Sequence, residues 1–138
     1  MSDARRVLVV DDQEDIREMA SLVLREAGFE VETAASGDEA LRLARAQDFD
    51  LVLLDINMPG RDGWSTLKLL RADAATADLP VAMFSVKSEV RDKVTSLQDG
   101  AVDFIAKPFG VDELVDRVTR IVTVHPRGSS RSPSASSR

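Results

Sequence analysis

Three aspartates, a serine and a lysine stand where short apolar runs stop, and those residue types can handle a phosphoryl group carried on a carboxylate. Val7-Leu8-Val9-Val10 leads into Asp11 and Asp12, and Leu51-Val52-Leu53-Leu54 leads into Asp55. Val81-Ala82-Met83-Phe84 leads into Ser85, and the run from Val102 to Ala106 leads into Lys107-Pro108. A carboxylate can attack phosphorus and become an acyl phosphate. Asp55 suits that task if a rigid strand end holds it; the plainer role is a strand-terminal Asp that caps the next loop. Clustered carboxylates repel one another unless a cation joins them, and hard oxygen ligands together with phosphate oxygens favour Mg2+. Asp11 and Asp12 either aim at such a cation or cap the following helix, and the two roles can coexist. Lys107 would set a point charge against one phosphoryl oxygen, and Ser85 would donate a hydrogen bond to another.

These residues can meet only if the chain positions them on one rim. Apolar runs of four or five residues read as buried parallel strands, and ligands of open parallel α/β sheets sit beyond the strands' carboxyl ends. Helical spacing alternates with the runs. Ile16, Met19, Val23 and Ala27 form one amphipathic stretch that Gly28 stops. Phe29 to Thr33 alternates like a strand, and Ser36-Gly37-Asp38-Glu39 has the spacing of a capping box opening a helix that runs to about Gln47. Asp50 to Asp55 is the most continuous strand. Met58-Pro59-Gly60-Arg61-Asp62-Gly63 is a loop by its Pro and Gly content, and Trp64, Leu67 and Leu70 open a third helix. Leu79-Pro80 introduces the fourth strand. Val90, Val94 and Leu97 mark a fourth helix closed by Gly100, and Val111, Leu114, Val118 and Ile121 mark a fifth. The expected fold is a doubly wound, flavodoxin-like (βα)5 domain with a five-stranded parallel sheet in the order 2-1-3-4-5.

At 138 residues the chain suits a single domain that buries roughly two-thirds of its unfolded surface. A formal net charge of -6 opposes a nucleic-acid-binding surface. The absence of cysteine removes disulfides, redox thiols and thiolate metal sites. No stretch approaches the roughly 20 apolar residues of a membrane span, and no signal-peptide core is present, so a cytoplasmic protein is expected. Residues 1–124 are expected to form the domain. From about His125 the chain turns to Ser, Arg, Pro and Gly, which reads as a disordered tail or the start of a linker.

Over about Arg5 to Val124 the chain resembles the receiver domain of two-component response regulators. The resemblance rests on Asp11-Asp12, Asp55-Ile56-Asn57-Met58-Pro59-Gly60, Asp62-Gly63, Ser85, Gly100-Ala101 and Lys107-Pro108-Phe109, in that order and spacing. It implies that Asp55 is the phosphoacceptor. Asp12, Asp55 and the Asn57 backbone carbonyl would bind Mg2+ directly, with Asp11 acting through water. Lys107 would compensate charge, and a cis bond would join it to Pro108. The resemblance makes Ser85 and Phe104 the switch pair, with the aromatic turning inward as Ser85 moves toward the phosphate. The donor would be a sensor histidine kinase or a histidine phosphotransfer protein. The fourth helix, fifth strand and fifth helix would present the output face to a downstream protein, through Val90, Val94, Phe104, Val111 and Leu114, and a homodimer is allowed.

The residue after Ser85 is commonly Ala in that family, whereas here it is Val86. Its bulk should hinder access to Asp55 and alter acyl-phosphate lifetime. Lys87 and Asn57 occupy the variable positions that flank the phosphoryl group. Two other classes fit less well. A haloacid-dehalogenase-type phosphatase needs an acid two positions after its nucleophile, and Asn57 cannot transfer a proton. A flavodoxin-like cofactor binder needs a phosphate-cradling loop after the first strand, where Asp11-Asp12-Gln13-Glu14 would repel phosphate. The single histidine, His125, leaves the chain without a histidine phospho-donor of its own.

Overall fold

The computed structural model describes residues 4–85, 94, 95 and 97–125. The strands are β1 (Arg6–Val10), β2 (Glu30–Ala34), β3 (Leu51–Asp55), β4 (Val81–Ser85) and β5 (Asp103–Ala106). Helices α1 (Glu14–Glu26), α2 (Gly37–Ala46) and α3 (Gly63–Ala72) follow the first three strands, and a C-terminal helix spans Val111–Val124. Residues 94, 95, 97 and 98 are also helical, on the segment expected to form the fourth helix. Val86, Lys87 and Val90 lie outside the described residues, as does the expected tail from residue 126.

All four strand pairings are parallel, as the alternation of elements implies, and the sheet order is β2-β1-β3-β4-β5, that of the expected flavodoxin-like fold. Strand side chains alternate between faces, and two apolar clusters divide accordingly. Leu8, Val10, Val52, Leu54, Met83 and Phe104 pack with Ala40 and Leu41 of α2 and Leu67 and Leu70 of α3. Val7, Val9, Leu51, Leu53, Phe84 and Ile105 pack with Leu24 of α1 and Leu114 and Val118 of the C-terminal helix. Cover on both faces is why β1, β3 and β4 are nearly uninterrupted apolar runs. β2, at the edge, keeps Glu30 and Glu32 exposed, with Arg6 3.5 and 3.9 Å from them.

Local signals in the sequence set the element ends. Gly28, at φ 101°, ends α1: its N–H donates to the Arg25 carbonyl while the Phe29 N–H donates to Leu24. That is a Schellman closure, which requires a left-handed residue. It engages Phe29, so β2 begins at Glu30, one residue later than alternation alone indicates. Ser36 caps α2, its Oγ accepting from the Glu39 N–H at 3.1 Å. Glu39 reaches back to the N–H of Ala35 at 2.8 Å, so the box closes one residue before the cap.

Candidate functional site

The carboxyl ends of β1, β3 and β5 bring Asp11, Asp12, Asp55 and Lys107 together. Each of the three acids offers a carboxylate oxygen, all within 4.8 Å of one another. Asp11 is fully buried and Asp55 is 5% exposed, whereas Asp12 faces solvent. Adjacent residues at a strand end diverge, so Asp11 turns into the molecule and Asp12 outward.

Lys107 lies 2.5 Å from Asp11 Oδ2 and 3.6 Å from Asp55 Oδ1. Two strands, β3 and β4, separate β5 from β1, so only a long side chain can make this reach. Its Nζ passes 4.6 Å from the centroid of the Phe84 ring on β4. A cation over an aromatic face is favourable, and Phe109 supports that ring at 6.2 Å. Apolar Phe84 reads in the sequence as strand core; its second role under Lys107 carries no signal there. The Lys107-Pro108 bond is cis, as the resemblance implies.

Asp11 has a further partner. Its Oδ1 accepts the Gln13 N–H at 3.0 Å, so it shapes the entry to α1, whose cap residue makes no side-chain capping bond. The helix-entry and site roles weighed for Asp11 therefore fall on one side chain with two oxygens. Arg17 ties the Asp11 carbonyl at 2.8 Å, a contact with no mark in the sequence.

Burial raises the Asp55 pKa from 3.8 to about 6; Lys107 opposes the rise, Asp11 adds to it, the Asn57 N–H opposes it and Asp12 adds to it. A buried anion beside two other carboxylates is under-compensated by one lysine. That excess, with hard oxygen donors on three residues, fits a divalent cation such as Mg2+.

The loop after β3 closes against the site. Asp62 caps α3 by accepting the Ser65 N–H at 2.9 Å, and the Gly63 N–H returns to the Ile56 carbonyl at 2.9 Å. A Cβ at Gly63 would run into the Asp55 carbonyl oxygen, so the approach of two backbones explains the glycine. Trp64 follows, half-buried against the α2–α3 cluster.

Ser85 is buried at the end of β4 and Phe104 at the middle of β5. Phe104 is turned inward, 5% exposed. Asn57 Nδ2 donates to Ser85 Oγ at 3.2 Å. On the expected output face, Val94 and Val111 are exposed. Leu114 is a correction: it is fully buried against the sheet, on the inner stripe of an amphipathic helix, and cannot contact a partner.

A doubly wound parallel sheet carrying this acidic rim, with lysine and cis-proline closing the fifth strand, defines the receiver class of signalling domain. The family model for the response regulator receiver domain matches residues 7–119, and the chain belongs to that family. The PhoB phosphate regulon transcriptional regulatory protein of Klebsiella pneumoniae is 42% identical over 119 residues, covering 86% of this chain and 52% of that protein. The transcriptional regulatory protein PrrA of Mycobacterium tuberculosis is 45% identical over 130 residues, covering 94% of this chain and 54% of that protein. The chain thus spans about half the length of these curated relatives. The chemotaxis response regulator CheY4 of Vibrio cholerae superposes with a TM-score of 0.81 at 36% identity, over 86% of this chain and 98% of that one. The receiver domain of the Francisella response regulator 1452 gives 0.81 at 33% identity, over 87% and 98%. Among the described residues no helix is long and apolar enough to cross a membrane.

Proposed function

We propose that residues 1–124 act as a phospho-accepting switch in a cytoplasmic two-component relay, with residues 125–138 as tail or linker. The donor is the phosphohistidine of a sensor kinase or phosphotransfer protein. An Asp55 carboxylate oxygen attacks phosphorus, the P–N bond breaks, and the imidazole nitrogen leaves and takes up a proton. The observation that carries this reading is Lys107 set against both Asp11 and Asp55, with the Asp12 carboxylate beside them. Asp12, Asp55 and the Asn57 carbonyl would hold Mg2+ directly and Asp11 would hold it through water. Mg2+ would supply charge neutralisation for the incoming phosphoryl group. Lys107 stands against the acceptor, Ser85 donates to a phosphoryl oxygen, and Phe104 carries the change toward the output face. That face includes Val94 and Val111, and its target is a downstream protein or output module rather than nucleic acid; a homodimer is one form it can take.

Acetyl phosphate or beryllofluoride with Mg2+ should change Trp64 fluorescence, and acetyl phosphate should add one phosphoryl group to the intact mass. Both responses should vanish in Asp55→Asn, and a response that persists there unchanged overturns the assignment. Val86, with Lys87 and Asn57 beside it, is proposed to set the lifetime of the phosphorylated state. Decay in Mg2+ should differ between the native chain and Val86→Ala, and equal rates would remove Val86 from that role.

A further inference from the structure

The exposed Asp12 carboxylate makes no hydrogen bond or ion pair among the described residues, yet one of its oxygens lies within 4.8 Å of those of Asp11 and Asp55. Only the backbone holds it there. Peptide units are planar, so the direction of a side chain follows from the peptide planes on either side of its α-carbon. Asp11 Oδ1 accepts the Gln13 N–H at 3.0 Å and thereby fixes the plane after Asp12. The plane before Asp12 carries the Asp11 carbonyl. The Asp11 N–H reaches the Ala34 carbonyl at 3.1 Å, but β2 ends at that residue. The Asp11 carbonyl is taken instead by the Arg17 guanidinium, whose N–H donates to it at 2.8 Å. The backbone N–H of Arg17 donates to the Gln13 carbonyl at 3.2 Å, so the arginine is anchored to the same corner that it grips.

Resting on the reading of this rim as a divalent-cation site, we propose that Arg17 is a positioning residue for metal binding. By holding the Asp11 carbonyl it turns the Asp12 carboxylate toward Asp11 and Asp55. A guanidinium N–H on a carbonyl is a charge-assisted bond, stronger than a neutral one. Arg17 is half-buried, which limits the competition of water for that carbonyl. With both planes preset, a cation that recruits Asp12 has only side-chain rotamers left to restrict, and the entropy lost on binding is smaller. Charge alone argues the other way, because a guanidinium near the rim repels Mg2+. The sign of the effect therefore separates positioning from repulsion. Arg25 supplies the comparison. It lies on the same helix and donates to the Val31 carbonyl at 3.0 Å, near the start of β2 and away from the rim.

Mg2+ is the probe, titrated against the full chain with Trp64 fluorescence and backbone amide resonances as independent readouts. The variants are Arg17→Met, which keeps the aliphatic stem and removes the donor, Arg17→Ala, Arg25→Met, Asp12→Asn, and Arg17→Met combined with Asp12→Asn. Either Arg17 variant that stays folded should weaken Mg2+ binding about tenfold, as when a group that orients a metal ligand is removed. Arg25→Met loses the same kind of bond and should shift binding less than about twofold. Arg17→Met should also shift it less than about twofold in the Asp12→Asn background, where the carboxylate it positions is gone. Tighter or unchanged binding without Arg17, an equal loss in Arg25→Met, or an undiminished loss in the Asp12→Asn background overturns the proposal and leaves the cation site standing. A native chain with no saturable Mg2+ response brings down the cation reading itself.

Discussion

Burial of the Asp55 carboxyl beside two other carboxylates has a consequence in the pH dependence of stability. The carboxyl's pKa rises from 3.8 to about 6 on folding, so between those values the folded protein binds more protons than the unfolded chain. Stability must then fall as pH rises from about 4 to about 6 and stay low above it. Asp55→Asn should flatten that slope and raise stability at neutral pH by on the order of 2 kcal/mol in metal-free buffer. Urea unfolding across the same pH range measures both, and an unchanged slope counts against the buried-charge account. Lys107 is the converse case. It is the cation set against Asp11 and Asp55 among the described residues, and removing it leaves the fully buried Asp11 carboxyl without its lysine partner. Lys107→Ala should cost about 3 kcal/mol, seen as a lower urea midpoint, with part of the loss recovered on adding Mg2+.

Among the elements, the ends carry the information. Ser36→Ala removes the acceptor of the Glu39 N–H and should cost about 1 kcal/mol. This cap was readable from the sequence because Ser36 and Glu39 lie within one turn of each other. Gly63→Ala should cost about 2 kcal/mol or more, because the new Cβ meets the backbone of Asp55 and Ile56 rather than a side chain that could swing away. Thermal unfolding ranks the two variants, with Gly63→Ala the worse. Pro and Gly content identified the loop around Gly63, but spacing cannot say which backbone lies opposite. Helical spacing, by contrast, already sets Leu114 on one apolar stripe with Val118 and Ile121, the stripe that packs on the sheet; the family resemblance alone puts it on the output face.

At the scale of the whole molecule, a cation bound only by the folded state should stabilise it by mass action. Apparent stability should rise by about 1.4 kcal/mol per tenfold increase in Mg2+ above its dissociation constant. The rise should disappear in Asp55→Asn and shrink in Asp12→Asn, both followed by thermal midpoint; a midpoint indifferent to Mg2+ in the native chain would falsify the divalent site. The test needs the intact fold, because the ligands come from separate strands that only the sheet holds together.

The chain's own pattern determined the alternating elements, the buried central strands, the parallel sheet and the five polar residues at the strand ends. Those features are local: period two, period 3.6, and capping residues within a turn of one another. Tertiary structure alone decided how the residues divide. The order β2-β1-β3-β4-β5 makes β1 and β3 neighbours, so Asp11 and Asp55 meet, while Lys107, 96 residues from Asp11, reaches them across Phe84. Alternation within β3 and β4 then sets Asp55 and Ser85 on opposite faces and leaves Asn57 to join them. Such facts depend on strand order and register, which are fixed when distant segments pack against each other and leave no periodic trace in the sequence.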